Sequence, residues 1–158
     1  MDAIDSRRRE LKGRMAQAER LSTSDARVLG EAMTDMCLWY GEYARLTVAQ
    51  AVFETYRALV ERTPADTGRA RASWNLGTQP EGTVPPPGDY PEFRHDLSAA
   101  VDRAIAKVGL DADTFCIASD LDYMPFLESG WSGQAPAGFI ALTLREFAER
   151  LGRAAGES

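Results

Sequence analysis

Apolar residues recur in steps of three and four positions through a long segment in the first half of the chain. The recurring positions are Val28, Leu29, Ala32, Met33, Met36, Tyr40, Tyr43, Ala49, Val52, Phe53, Tyr56, Leu59 and Val60. This helical period predicts one long amphipathic helix over 25–62, which begins at an N-cap cluster over 22–25. The helix ends before Pro64, because a proline pushes the preceding residue out of the α region. At about 57 Å it is longer than a compact domain needs, so we expect it either to bend, near Gly41 or around Thr47 and Val48, or to pack partly on another subunit.

After this helix the pattern changes to an alternation with a period of two. The apolar positions Ala70, Ala72, Trp74 and Leu76 alternate with Arg69, Arg71, Ser73 and Asn75. The alternation predicts a half-buried strand over 70–76, with Arg71 and Trp74 on opposite faces. Frequent glycines and prolines then predict a long Pro-rich loop over 77–95.

Three further elements follow the loop. One apolar stripe over 97–108 predicts a helix that Asp96 caps. The segment 114–119 is rich in β-forming residues and predicts a second strand, whereas 120–138 is rich in turn formers. A last apolar stripe over 140–151 predicts a C-terminal helix.

The order of these elements predicts an α+β fold. We expect a long N-terminal amphipathic helix and a C-terminal helix, both packed on a small, mostly antiparallel β-sheet. The predicted organisation is a basic N-terminal arm or helix over 1–24, a single domain over 25–152 and a flexible tail over 153–158. A length of 158 residues fits one domain with one core.

Composition leaves little for the common kinds of catalysis. The chain carries 18 Lys+Arg against 24 Asp+Glu, a formal charge of −6, which argues against a protein that mainly grips phosphate backbones. Its single histidine, His95, is expected at the surface, and Cys37 and Cys116 are expected to be buried, inert thiols. No segment has the length and apolarity of a transmembrane span or a signal peptide. We therefore predict no catalytic residues, no metal or other cofactor, and no membrane partner.

Charge is unevenly distributed along the chain. Arg7, Arg8 and Arg9 make the start basic, and they form either a solvated helix end or a short arm that contacts DNA or an acidic neighbour. The segment 111–130 carries five acids and no lysine or arginine. Three of these acids suggest a metal-assisted hydrolase, but their spacing does not match a calcium-binding loop. The three are Asp120, Asp122 and Glu128.

Two turn motifs are more specific than the rest of the sequence. In the first, Pro64 fixes φ, Asp66 forms an Asx-turn and Gly68 supplies a left-handed position. Its structural residues are Asp66, Thr67, Gly68, Arg71, Ser73 and Trp74. The second motif, 123–139, has aromatics that either pack on the core or form a subunit contact, because aromatics on a rigid loop are typical interface anchors. The contact candidates are Tyr123, Phe126, Leu127, Glu128, Gly130, Trp131, Ser132, Gln134, Pro136 and Phe139.

Together the two motifs resemble the tail-component proteins of tailed bacteriophages that are grouped with the tenth gene product of phage HK97. The first motif matches T-P-x-D-T-G-R-x-R-x-S/N-W over 63–74. The second matches Y-x-x-F/Y-L-E-x-G-x-S-x-Q-A-P-x-G-F/M over 123–139. The basic N-terminus and the Pro-rich insert over 80–91 align with no part of this pattern.

The resemblance implies a non-enzymatic structural protein at the head–tail junction of the virion, which is a neck, tail-completion or tail-terminator subunit. It implies a hexameric or dodecameric ring around the DNA channel, with duplex DNA passing close by. The implied partners are the portal or connector protein, a stopper protein and the tail tube protein. Such a protein is made in the cytoplasm of the bacterial host. The alternative function is that of a small helical DNA-associated regulator that uses the N-terminal arginines.

Overall fold

The computed structural model of the chain describes residues 2–19, 26–134 and 137–156. Within these ranges it contains seven α-helices and one two-stranded antiparallel sheet, which confirms the predicted α+β fold. In chain order the elements are α1 (Asp2–Glu19), α2 (Ala26–Arg62), α3 (Arg69–Ala72), β1 (Asn75–Gly77), α4 (Glu92–His95), α5 (Leu97–Val108), β2 (Cys116–Ala118), α6 (Met124–Glu128) and α7 (Phe139–Gly156).

The chain divides into two compact units, Met1–Gln50 and Ala51–Ser158. The division falls inside α2, whereas the boundary predicted at residue 24 and the N-cap cluster 22–25 lie outside the described residues. Residues 2–19 form a helix, which is one of the two forms predicted for the basic N-terminus.

The first unit is built from α1 and the first part of α2. Ile4 and Leu11 are buried on α1, and their spacing of seven residues places them on one helical face. Leu46 and Ala49 are buried on α2.

The prediction that Cys37 is a buried thiol is wrong, because this side chain is exposed on α2. Met33 and Tyr40 lie four and three positions away on the same helical face, and they are exposed as well. The apolar stripe in the sequence is therefore wider than the buried face of the helix. Cys116 is half-buried rather than buried, and His95 is exposed as predicted.

The second unit carries the larger core. Its most buried apolar side chains include Tyr56, Leu59, Val60, Leu76, Val101, Leu121, Met124 and Phe139. Strands β1 and β2 pair with Leu76 opposite Ile117, and α5 lies beside β1. Phe53 meets Phe115 edge to face, with the ring centroids 5.5 Å apart.

The predicted strand over 70–76 is wrong for most of its length. Residues Arg69–Ala72 form the helical turn α3, and the strand covers only Asn75–Gly77. A single helical turn is too short to show a period, so alternating alanines and arginines fit it as well as they fit a strand. Arg71 and Trp74 therefore do not project from opposite faces of a strand.

Three other boundaries also differ from the prediction. The last four residues of the predicted loop 77–95 form α4, and the turn-rich segment contains the short helix α6. Helix α7 continues past Gly152 to Gly156, into the segment predicted to be a flexible tail. A glycine inside a helix costs about 1 kcal/mol relative to alanine, which one residue of an 18-residue helix can accommodate.

Candidate subunit-contact site

The first motif forms a turn that requires glycine at its centre. Gly68 is buried and has a φ of +78°, as predicted. A Cβ at this position would lie 2.5 Å from the carbonyl oxygen of Tyr90. The Tyr90 backbone is fixed there because its N–H donates a hydrogen bond to Thr67 O over 2.8 Å. The Pro-rich loop is thus attached to the turn, through a residue that no sequence pattern indicated.

The Asx-turn predicted at Asp66 is wrong. The Asp66 side chain is exposed, and its carboxylate accepts no hydrogen bond from any described residue. Instead, the Thr67 hydroxyl accepts a hydrogen bond from the backbone N–H of Arg69 at 3.3 Å. A threonine hydroxyl closes the same kind of turn as an aspartate, although more weakly, so Thr67 takes the role that was expected of its neighbour.

Arg71, on α3, bonds to the C-terminal end of α2 and to α4 through three backbone carbonyls. Its Nε donates to Thr63 O at 2.8 Å, its Nη1 to Phe93 O at 3.0 Å and its Nη2 to Glu61 O at 3.0 Å. Burial lowers the pKa of Arg71, and the charge of Glu61 opposes this shift. The fixed fork of donors in a guanidinium suits such a clamp, so Arg71 is a structural residue.

Thr63, Ser73 and Trp74 are buried behind this turn, and their polar side-chain atoms form two separate sets of hydrogen bonds. The indole Nε1 of Trp74 donates to the Thr63 hydroxyl over 2.8 Å, and that hydroxyl donates to Leu59 O over 2.7 Å. The hydroxyl of Ser73 shares a hydrogen bond of 2.7 Å with that of Ser119, which precedes α6. Buried polar groups are expensive unless they are paired, and each of these side chains has a hydrogen-bond partner. The first motif therefore stabilises the turn and leaves only Asp66 and Thr67 exposed.

In the second motif, Glu128 caps the N-terminus of α7. Its Oε2 accepts a hydrogen bond from the N–H of Ile140 at 2.8 Å, and its Oε1 accepts one from Ala141 at 3.1 Å. Its own carbonyl accepts a third from Gly138 at 2.7 Å. A carboxylate at this end also interacts favourably with the helix dipole. Glu128 thus fixes the connection from α6 to α7, a role that the sequence analysis did not assign to it.

Phe126 and Trp131 form an exposed aromatic pair on this fixed connection. Their ring centroids are 5.0 Å apart at an interplanar angle of 52°. The backbone N–H of Trp131 donates a hydrogen bond to the backbone carbonyl of Phe126 at 3.2 Å. Phe126 is 50% exposed and Trp131 is 78% exposed. Gly130 has a φ of +89°, which lets the chain turn between the two rings. The pair is an apolar surface held in place by backbone hydrogen bonds.

The remaining contact candidates divide between exposed and buried positions. Phe139 is 1% exposed, so its assignment to the contact surface is wrong, and it belongs to the core because α7 turns it inward. Tyr123, Leu127 and Ser132 are half-buried. Gln134 is exposed and accepts a hydrogen bond from Ala65 N at 3.0 Å, which links the second motif to the first. Pro136 lies outside the described residues.

The N-terminal arginines lie in the first unit and make contacts within it. Arg7 Nε donates to Glu42 Oε1 at 2.7 Å, and this hydrogen bond raises the pKa of Arg7. Arg8 donates to the hydroxyl of Thr47 at 3.0 Å, and Arg9 donates to a carbonyl of its own helix. Two of the three side chains thus form hydrogen bonds with side chains of α2, so they are less available to bind DNA phosphates.

The described ranges contain no group of three or more His, Cys, Asp or Glu side chains that could hold a metal ion. None of the helices in the described part of the chain is long and apolar enough to cross a membrane. Comparison with protein-family models, with curated proteins and with solved structures gave no match to this chain.

Proposed function

We propose that this chain is a non-enzymatic structural protein of a tailed bacteriophage, a neck or tail-completion subunit that forms a ring around the DNA channel. The observation that carries the proposal is the exposed aromatic pair of Phe126 and Trp131 on a rigid turn. This pair lies within the motif that resembles the phage tail-component family. A monomer gains nothing from an exposed indole, whereas subunit contacts are commonly anchored by tryptophan.

The surroundings of the pair also support a contact role. The turn is fixed by the cap that Glu128 makes on α7 and by the hydrogen bond from the backbone N–H of Ala65 to the side-chain oxygen of Gln134. A fixed surface loses little side-chain and loop entropy when a partner binds. An interface tryptophan of this kind typically contributes about 2–4 kcal/mol to association.

The acidic character of the chain suits a ring through which DNA slides. The segment 111–130 carries five acids and no basic residue, and the whole chain has a formal charge of −6. Negative charge on a channel wall disfavours adsorption of phosphates. We expect this segment to face the channel in the assembled ring, and an outward orientation would remove this part of the proposal.

The alternative of a DNA-associated regulator has less support. It depends on Arg7 to Arg9, of which Arg7 and Arg8 bind side chains of α2. Duplex DNA binding with a steep salt dependence would favour it.

The proposal predicts that the purified chain assembles and that Trp131→Ala weakens assembly without unfolding the chain. The matched control is Leu144→Ala, which removes a side chain that is also exposed, on α7. Light scattering gives the mass, negative-stain images show whether the particles are annular, and thermal melting reports folding. If Trp131→Ala and Leu144→Ala assemble equally well, the aromatic pair is not the contact and the proposal loses its main support.

A further inference from the structure

Helix α2 carries a second apolar stripe, on the side that points away from α1. Arg7 of α1 donates a hydrogen bond to Glu42 at 2.7 Å. The guanidinium of Arg8 lies 5.3 Å from the centre of the Tyr43 ring. At 3.6 residues per turn, the second stripe lies on roughly the opposite side of the helix from Glu42 and Tyr43. Its six residues, the α2 stripe, are all exposed: Met33, Cys37, Tyr40, Gly41, Ala44 and Val48.

The α2 stripe has no charged residue, although it is exposed over about four turns of helix. Met33 is 58% exposed, Tyr40 47% and Val48 41%. A surface helix normally turns one apolar stripe to the core and polar side chains to water. Monomeric proteins rarely leave a contiguous apolar patch of this kind in contact with water, so the α2 stripe marks a contact surface.

The order of large and small side chains in the α2 stripe is complementary to its own reverse. Two antiparallel copies of α2 can be related by a two-fold axis that passes between residues 40 and 41. Three pairs of positions on the two copies are then level with each other: Met33 with Val48, Cys37 with Ala44, and Tyr40 with Gly41. The distance between packed helices depends on the side chains at the contact, so Cys37 and Ala44 allow close approach. Gly41, where an added Cβ meets nothing within 4 Å, leaves room for the Tyr40 rings at the centre.

We propose that the α2 stripe packs antiparallel on the α2 stripe of a second copy. The occupant is a second copy because the same six positions supply both halves of the match. An uncharged stripe also brings no like charges together across a two-fold axis. Such a contact uses the same surface on both subunits and closes on itself, whereas a ring needs heterologous contacts. It is therefore a second interface, separate from the aromatic pair of Phe126 and Trp131, and it goes beyond the proposed function.

The size of the α2 stripe indicates a weak contact between two isolated chains. Residues 33–48 give a footprint about 24 Å long and about 10 Å wide. This footprint is smaller than the area of about 800 Å² that each partner buries in a standard stable interface. Covalent trapping of the dimer is therefore a more sensitive assay than the mass of the chain at equilibrium.

Disulfide trapping tests the proposed register on the full-length chain. In this register Cys37 of one copy is level with residue 44 of the other, whereas the two copies of Cys37 lie about 10 Å apart along the helix axis. A disulfide needs Cα atoms within about 7 Å of each other. With a copper–phenanthroline oxidant, Ala44→Cys should therefore cross-link into dimers and the unsubstituted chain should not. Residues 37 and 44 of one chain are too far apart along their helix to bridge each other.

Matched variants separate the proposed contact from random collision of exposed thiols. Cys37→Ser with Ala44→Cys keeps one exposed cysteine but removes the thiol level with it, so cross-linking should slow at least about tenfold. In the Ala44→Cys chain, Val48→Glu places a charge inside the contact and should slow cross-linking at least about tenfold. Leu38→Glu should leave it unchanged, because this side chain is 66% exposed but lies outside the α2 stripe. Cys116 is present in every variant, peptide mass mapping identifies the joined cysteines, and circular dichroism confirms that each variant is folded.

Three outcomes would overturn the inference. The first is rapid cross-linking of the unsubstituted chain through Cys37, which would indicate parallel packing. The second is equal cross-linking of Ala44→Cys with and without Cys37→Ser, because the α2 stripe is then free or binds a different partner. The third is an equal effect of Val48→Glu and Leu38→Glu. The proposed function has a separate test in phage particles, so its failure is distinguishable from a failure of this contact.

Discussion

Replacing Gly68 with alanine should destabilise the fold through two separate effects. An L-residue in the left-handed region costs about 1–2 kcal/mol, and Gly68 has a φ of +78°. The new Cβ would also lie 2.5 Å from Tyr90 O, 3.2 Å from Tyr90 Cβ and 3.3 Å from Phe93 Cβ. The Tyr90 backbone must then move, which weakens its hydrogen bond to Thr67, and such crowding costs about 1–3 kcal/mol. Alanine recovers about 0.4–1 kcal/mol by restricting the unfolded chain, so we expect a net loss of about 2–4 kcal/mol.

Gly109→Ala is a control in which an added Cβ meets no neighbour. Gly109 has a φ of +74° with a ψ of 177°, and nothing lies within 4 Å of an added Cβ. Only glycine readily adopts this conformation, so we expect a loss of about 1–3 kcal/mol from the backbone alone. Urea unfolding followed by far-ultraviolet circular dichroism gives the free energy of unfolding of both variants, and melting temperatures should fall by about 2–4 °C per kcal/mol for a chain of this length. Amide exchange at Tyr90 separates the two effects, because Gly68→Ala should speed it and Gly109→Ala should not. Unchanged exchange at Tyr90 in Gly68→Ala would refute the close contact between Gly68 and the Pro-rich loop.

Two further substitutions test the polar contacts of α7. Glu128→Gln removes the negative charge that caps this helix but keeps one acceptor oxygen. It should lower the free energy of unfolding by about 0.5–2 kcal/mol and speed amide exchange at Ile140. Unchanged exchange at Ile140 would contradict the cap. The hydrogen bond from Arg62 holds the pKa of Glu146 below its ordinary value of 4.5. The ionised Glu146 side chain therefore stabilises the folded state above pH 4.5, and this stabilisation is lost as the pH falls through the lowered pKa. Glu146→Gln should therefore flatten the fall of melting temperature with acid, and an unchanged acid profile would show that the pair does not contribute.

The long elements of the fold were predictable from the sequence because each repeats its pattern over several turns. Helix α2 covers Ala26–Arg62 against a predicted 25–62, and α5 covers the predicted 97–108. The strand β2, Cys116–Ala118, lies within the predicted 114–119. Short elements such as α3 contain a single turn, so hydrophobic period alone does not identify them.

The candidate site was predictable in its location and less so in the roles of its residues. The exposure of Trp131 and the left-handed turn at Gly68 agree with the motifs. The cap by Glu128 and the contact of Tyr90 with Thr67 connect residues that are distant along the chain. Such hydrogen bonds follow no sequence period, and they depend on how the elements pack. Phe139 illustrates the same limit, because a motif position does not reveal which side of a helix faces the core.

The most direct test of the proposed function is a joining experiment with a phage that lacks the gene for this chain. We expect heads and tails to accumulate separately in the lysate, and we expect the purified chain to restore joined particles, which are counted by electron microscopy. The Trp131→Ala chain should restore few joined particles, while Leu144→Ala should restore them like the unsubstituted chain. Normal joining in the absence of this chain would contradict the proposal that it is a structural part of the head–tail junction.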